Sequence, residues 1–338
     1  MRNAGVFMLA LFLAAATLAS PANRRRSHGR RRHARPEAPA FDPARINDSA
    51  LATRLTKGAR GSAALRLQIL LDRLHFSPGE IDGSYGENTR KAVAAFQASQ
   101  NIPADPTVGP ATWRLLNQSQ SSVLAQYKIA AEDVAGPFDK IPQDVLEKAK
   151  LKHMDYSSPL EEIGEKFHAS PKLLETLNPG KSFDKEGEEI TVPAVATTPP
   201  PPGAAISVVK SDSSVVVQDA AGKIIARYPA TLGSRHDPLP IGAFKVTGVQ
   251  KNPVFRYNAD LFWDADEKHA KALLPAGPNN PVGIVWIDLS KPHYGIHGSP
   301  EPSTIGKSTS HGCIRLTNWD AWELSQIVAT GTPITLRE

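Results

Sequence analysis

The 338-residue chain has a single cysteine, Cys313. An intramolecular disulfide is impossible, so the fold is not a disulfide-stapled scaffold, and a four-cysteine zinc site is excluded. Long apolar runs are nearly absent. Only residues 6–18 are almost continuously apolar, which is short for a membrane span of about 20 residues. Outside one segment, excess positive charge is absent too. Seven arginines (Arg24, Arg25, Arg26, Arg30, Arg31, Arg32 and Arg35) lie between Asn23 and Arg35 with no acid among them. Without these and Arg2, 31 basic residues face 34 acidic ones. A folded part with that balance argues against a nucleic-acid-binding domain, whose positive charge sits on a folded face.

What is present is a globular composition, 41% apolar and 22% charged, long enough for two or three domains of about 100–200 residues. Met1-Arg2, the apolar run and the small residues Thr17-Leu18-Ala19 or Ser20-Pro21-Ala22 read as a secretory signal peptide over residues 1–22. An uncleaved anchor is the alternative. No cysteine near the cleavage region offers a lipid attachment point. The chain is therefore expected to be exported. In an oxidising compartment a lone cysteine reads as a working thiol, the bland alternative being a buried inert one. Residues 23–50 read as a basic disordered tail, either attracted to anionic envelope polymers and headgroups or merely solvated.

Residues 51–120 carry helical spacing at Leu65, Ile69 and Leu70 and again at Ala92, Val93 and Phe96, around a turn-rich loop at 77–86, with Pro110 opening a third helix. The expectation is a small three-helix domain. Leu67-Gln68, Ile81-Asp82-Gly83-x-Tyr85-Gly86-x-x-Thr89, Ala92-Val93-x-x-Phe96-Gln97 and Val108-Gly109-x-x-Thr112-Trp113 resemble the peptidoglycan-binding type 1 domain. Residues 127–194 read as helix, helix and strand, with Leu160, Ile163 and Phe167 on one helical face and Leu173, Leu174 and Leu177 on another. With Leu177-Asn178-Pro179 this small α/β segment resembles a divergent LysM module, which binds N-acetylglucosamine polymers. The usual glycine-aspartate turn is replaced by Tyr156-Ser157-Ser158-Pro159, so a purely structural role stands beside glycan binding. The proline run at 199–202 lies in a stiff linker, residues 195–204.

From residue 205 to 338 the pattern is mostly β, with strands expected at 206–209, 214–217, 223–228, 242–247, 283–288 and 333–336 and one helix at 318–328. Here Tyr294-Gly295-Ile296-His297-Gly298 is followed by Ser310-His311-Gly312-Cys313-Ile314-Arg315. A free thiol, with a pKa of about 8.5, is only a few per cent ionised near neutrality, and an imidazole can take its proton. Flanking glycines let backbone N–H groups face an oxyanion, and Arg315 can clamp a carboxylate. The set suits acyl transfer through a thioester. His293, His297 and His311 could instead supply three zinc nitrogens, but the three-residue gap between the first two needs a helix where the sequence reads as strand.

The run from His297 to Cys313 resembles the L,D-transpeptidase catalytic domain of the YkuD type. The resemblance implies Cys313 as nucleophile and His297 as general base, with His311, Gly312 and Gly298 supporting the site or the oxyanion, and Arg315, Ser310 and Tyr294 on the substrate. Some members have serine after the first histidine, where Gly298 stands; its carbonyl can orient the imidazole instead. Some also place asparagine shortly after the cysteine, where Arg315 stands. The implied reaction takes a peptidoglycan tetrapeptide stem, releases D-alanine and passes the acyl group to an amine, with no metal or other cofactor. The partners expected are peptidoglycan stems and glycan, with an envelope lipoprotein as a further acceptor, in the periplasm or cell wall. The alternatives are an L,D-carboxypeptidase, with water as acceptor, and a non-catalytic wall-binding protein.

Overall fold

The structure is a computed structural model that describes residues 41–118, 121–266 and 271–338. The expected signal peptide and the arginine run lie outside the described residues. Residues 41–50, read as the end of a disordered tail, are ordered instead. Asp42 caps a short helix, α1 (Pro43–Asn47), and Ile46 is fully buried against its neighbours. One isoleucine and the Arg66 guanidinium, which donates to the Ile46 carbonyl at 2.9 Å, anchor a segment whose composition suggested no core contact.

The first module is built from α2 (Ser62–Arg73), α3 (Glu87–Ser99) and α4 (Pro110–Leu116). Leu65, Ile69, Val93, Phe96 and Trp113 close its core. Gln68 ties the intervening loop down. Its amide donates to Asp82 and to the Ser84 carbonyl, and its oxygen accepts the Gly83 N–H at 2.7 Å. Gly83, at φ +71°, sits in the left-handed region that favours glycine.

The middle module gains a strand the sequence did not announce. β1 (Leu124–Lys128) pairs antiparallel with β2 (Glu189–Pro193), framing α5 (Val145–Lys148), α6 (Pro159–Lys166) and α7 (Pro171–Leu177). Ser158-Pro159 and Ser170-Pro171 start the last two helices. Each serine hydroxyl accepts from the N3 amide, and each proline occupies N1, where its missing N–H costs nothing.

The third module holds β3 (Ala205–Val209), β4 (Ser214–Gln218), β5 (Ile224–Pro229), β6 (Leu232–Gly233), β7 (Gly242–Lys251), β8 (Phe255–Tyr257), β9 (Ala272–Leu274), β10 (Val285–Leu289), β11 (Gly295–His297), β12 (Thr309–Ser310), β13 (Ile314–Arg315), α8 (Asn318–Ile327) and β14 (Pro333–Arg337). Eight of these strands form one sheet in the order β13-β11-β10-β7-β14-β3-β4-β5. Only β11/β13 and β14/β3 pair parallel within it. Ile206, Val217, Val246, Ile287, Ile296, Ile314 and Leu324 of α8 share one buried cluster. β8 and β9 form a separate hairpin between β7 and β10.

The proline-rich segment does not hold the modules apart. Ala196 N–H donates to Asp72, Gly203 N–H to the Ile327 carbonyl and Ala204 N–H to the Gln218 carbonyl. The first module docks on the third through backbone as well as side chains. Ser77 N–H donates to the Arg227 carbonyl and Arg227 N–H to that of His75, both at 2.8 Å. Ser77 bonds Asp320, His75 meets Glu323 at 3.0 Å, and Tyr228 donates to the same carboxylate. His168 of the middle module pairs with Asp72 at 2.8 Å and stacks on Trp319. The described residues form a single compact unit. Asn88 of α3 donates to the Ile305 carbonyl in a buried bond. Asn88→Ala should therefore cost about 1–3 kcal/mol by leaving that carbonyl unpaired, as one shifted urea transition for the full chain. Two separate transitions, of which only one moves, would contradict unfolding as one unit.

Candidate functional site

The site grows from the parallel pairing of β11 with β13. Ile296 lies opposite Ile314, and both are fully buried in the core. Successive side chains alternate between faces, so His297 and Arg315, also opposite one another, share the other face. Cys313 stands just before β13, and the Arg315 charge acts on both its thiol and the His297 ring. β10 adds Trp286 opposite His297. Its indole stacks on the imidazole with centroids 5.4 Å apart and planes 18° apart. The same indole covers Gly295, where a Cβ would lie 2.5 Å from Trp286 Cζ2. β13 is held on its free edge by reciprocal 2.9 Å backbone bonds between Thr231 and Arg315.

His297 is 3% exposed. Its Nδ1 lies 2.7 Å from the Gly298 carbonyl. A carbonyl only accepts, so Nδ1 carries the proton and Nε2 is the basic nitrogen. Burial, and next the Arg315 guanidinium, lower the imidazole pKa to about 3, against the Gly298 carbonyl, which favours the charged ring. Burial also pushes the Cys313 thiol up, opposed by the Gly295 backbone and the Arg315 charge. The thiol is turned toward the His293 carbonyl, 3.7 Å from Sγ.

The remaining candidates divide. Gly312, at φ +98°, lies against the Tyr294 ring, which a Cβ there would meet at 3.0 Å. The Tyr294 phenol is raised by burial and by the neighbouring thiol, which places it at the site. Arg315 Nε is buried with no hydrogen-bond partner among the described residues. Ser310, expected on the substrate, is 3% exposed and donates to the Cys313 carbonyl at 2.6 Å. It pins the cysteine loop and is not presented to a ligand. His311 is engaged by the segment between β8 and β9. Its Nε2 meets Asp264 at 2.8 Å and its ring packs edge-on against Phe262, tying the loop to the β8–β9 lobe. Among the described residues no three His, Cys, Asp or Glu side chains converge as metal ligands.

Trp286, Asp264 and Asn318 were missed in the sequence. Asn318 was within sight, since an asparagine was sought just after the cysteine and one stands five residues on. Trp286 had no signal beyond its place in an apolar strand. Cavities of about 120 and 300 Å³ open where the modules meet, both lined by Trp319 and neither by Cys313.

This β-rich domain carries the lone thiol of the chain, Cys313, and a backbone-oriented imidazole, His297. Residues 203–336 match the L,D-transpeptidase catalytic domain (YkuD), and residues 60–116 match the family described as "Putative peptidoglycan binding domain". The chain is 30% identical over 179 residues to the Bacillus licheniformis protein named "Putative L,D-transpeptidase YkuD", covering 52% of this chain and 92% of that protein. The Bacillus subtilis protein of the same name is 34% identical over 114 residues, 34% of this chain and 54% of that one. "Probable L,D-transpeptidase YbiS" of Escherichia coli strain K12 is 25% identical over 183 residues, 53% of this chain and 60% of that one. The chain thus spans between half and two thirds of the latter two. It belongs to the YkuD family of L,D-transpeptidases.

An unfolded histidine titrates near pH 6.5, whereas His297 does so at about 3 in the fold. The stability this contributes is present above about pH 6.5 and lost as pH falls toward 3. Nitrogen-15 NMR should show a neutral Nδ1–H imidazole at His297 from about pH 8 down to about pH 5. A protonation midpoint near 6.5 would contradict the burial argument.

Proposed function

We propose that Cys313 is the nucleophile and His297 the general base of an acyl transfer on peptidoglycan stem peptides. The observation that carries this reading is the imidazole. Gly298 occupies Nδ1, which leaves Nε2 as the base. The resting pair is neutral, because burial disfavours both the thiolate and the imidazolium. Ionisation then accompanies attack. As Sγ bonds the carbonyl carbon before the terminal D-alanine of a tetrapeptide stem, its proton passes to Nε2. The N–H groups of Gly312 and Cys313 are the candidate oxyanion donors. Arg315, with its unpartnered buried Nε, supports a clamp on a stem carboxylate.

The C–N bond to D-alanine then breaks, and the leaving amine takes the proton from Nε2. An acceptor amine attacks the thioester and loses a proton to His297, and the thiol is restored. An amine from a second stem gives a 3→3 cross-link, a lipoprotein lysine gives an anchored protein, and water gives a carboxypeptidase product. We infer that the chain works as an exported protein in the cell envelope. Residues 60–116 hold wall polymer, and the middle module, in which α6, α7 and β2 follow the helix–helix–strand order of a LysM module, holds glycan.

Cys313→Ala should abolish release of D-alanine from tetrapeptide stems, read by mass spectrometry of the muropeptides formed on purified sacculi. His297→Ala should lower the rate about 10²–10⁴-fold, the usual range for a general base. The double variant should be no worse than Cys313→Ala, since residues acting as one unit are not additive. Full turnover by Cys313→Ala would sink the thiol mechanism.

A further inference from the structure

Glu165 belongs to α6 of the middle module, yet its side chain is built into the support of the catalytic domain's histidine. Asn318, the first residue of α8, presents Nδ2 at 2.9 and 3.0 Å from the two Glu165 oxygens and 3.1 Å from the Pro278 carbonyl. Its Oδ1 faces the other way and accepts the Ile284 N–H at 3.3 Å. That oxygen occupies the space where a side chain at Gly283 or Gly298 would begin. A Cβ built on either would lie 2.0 or 2.3 Å from it. Gly298 in turn supplies the carbonyl that holds His297 Nδ1. The Asn318 amide therefore packs against the peptide that decides where the imidazole points.

Glu165 joins the Ile284 N–H and the Pro278 carbonyl in fixing which way that amide faces. A flipped Asn318 would set its NH₂ against the Ile284 N–H, donor against donor, and its oxygen against the acceptors Glu165 and Pro278. Burial raises the Glu165 carboxyl to about 8, but in either protonation state one oxygen can accept from Asn318. The helix is held in place from outside the pair. Tyr156 donates to Glu165 at 3.3 Å, and Asn279 donates to Glu161 and to the Asp155 carbonyl, both at 2.9 Å. Met154 N–H meets the Ala276 carbonyl at 3.0 Å, and Asn279 N–H meets that of Met154 at 2.9 Å.

We propose that Glu165 is a positioning residue for His297, acting through Asn318 and Gly298, so that the middle module sets the orientation of the catalytic base. The inference rests on His297 being that base. A direct reading of the ring, independent of turnover, separates its failure from failure of the mechanism.

The test uses the full chain. Glu165→Met keeps length and removes the acceptor, while Glu165→Gln keeps an acceptor oxygen. Acylation of Cys313 by a carbapenem gives the rate, and nitrogen-15 NMR of His297 gives the tautomer. Glu165→Met should slow acylation about 10–100-fold, the scale expected of a misplaced reacting group. Its His297 signals should change from a single Nδ1–H form to a mixture. Glu165→Gln should restore both readouts. Should the methionine variant fail to fold, Glu165→Asp, one methylene short of Asn318, must show the same loss. An unchanged rate and tautomer in Glu165→Met overturns the proposal. So does equal loss of rate in the methionine and glutamine variants with the His297 signals unaltered, which would make the contact one of docking only.

Discussion

The active face depends on a two-residue parallel pairing. β11 and β13 are too short to be stable by themselves, and a one-residue slip in either would send its functional side chain into the core. Ile296 and Ile314 prevent the slip. Both are fully buried at adjacent positions, and exposing either would forfeit about 1.5–3 kcal/mol of apolar burial. The thiol, the imidazole and the guanidinium are thus placed by two isoleucines that touch no substrate. Trp286 then backs the imidazole, and the Gly298 carbonyl sets its tautomer.

Around that face, the first and middle modules share one apolar cluster, and polar contacts cross every boundary as well. Asp72–His168, His75–Glu323, Ser77–Asp320 and Asn318–Glu165 each cross a module boundary. Buried groups of this kind add little net stability over apolar packing, but breaking one partner is costly. Their geometry demands one relative placement of the modules. Residues 60–116, which match the peptidoglycan-binding family, are thereby held at one orientation to residues 203–336, which match the catalytic domain, as a flexible tether would not hold them.

The main strands, the three helices of the first module and the His297–Cys313 run were legible because periodicity, turn chemistry and a lone thiol are local signals. β1 escaped notice because Leu124–Lys128 alternates weakly and its partner, β2, lies some sixty residues away. The family resemblance put Ser310 on the substrate, whereas its hydroxyl satisfies the carbonyl of Cys313. The run at 199–202 looked like a spacer, because proline content reports stiffness and says nothing of docking. Glu165 and Asn318 lie 153 residues apart, and no spacing rule joins them. What the sequence could not reveal is mostly the set of contacts between modules.

The proposed mechanism turns on a thioester at Cys313. The most direct measurement is intact-protein mass spectrometry after rapid quenching with a tetrapeptide stem, followed by peptide mapping. The expected result is a mass increase equal to the stem less D-alanine, confined to the peptide that contains Cys313. Turnover of the stem with no adduct there, or with an adduct on another residue, would contradict it.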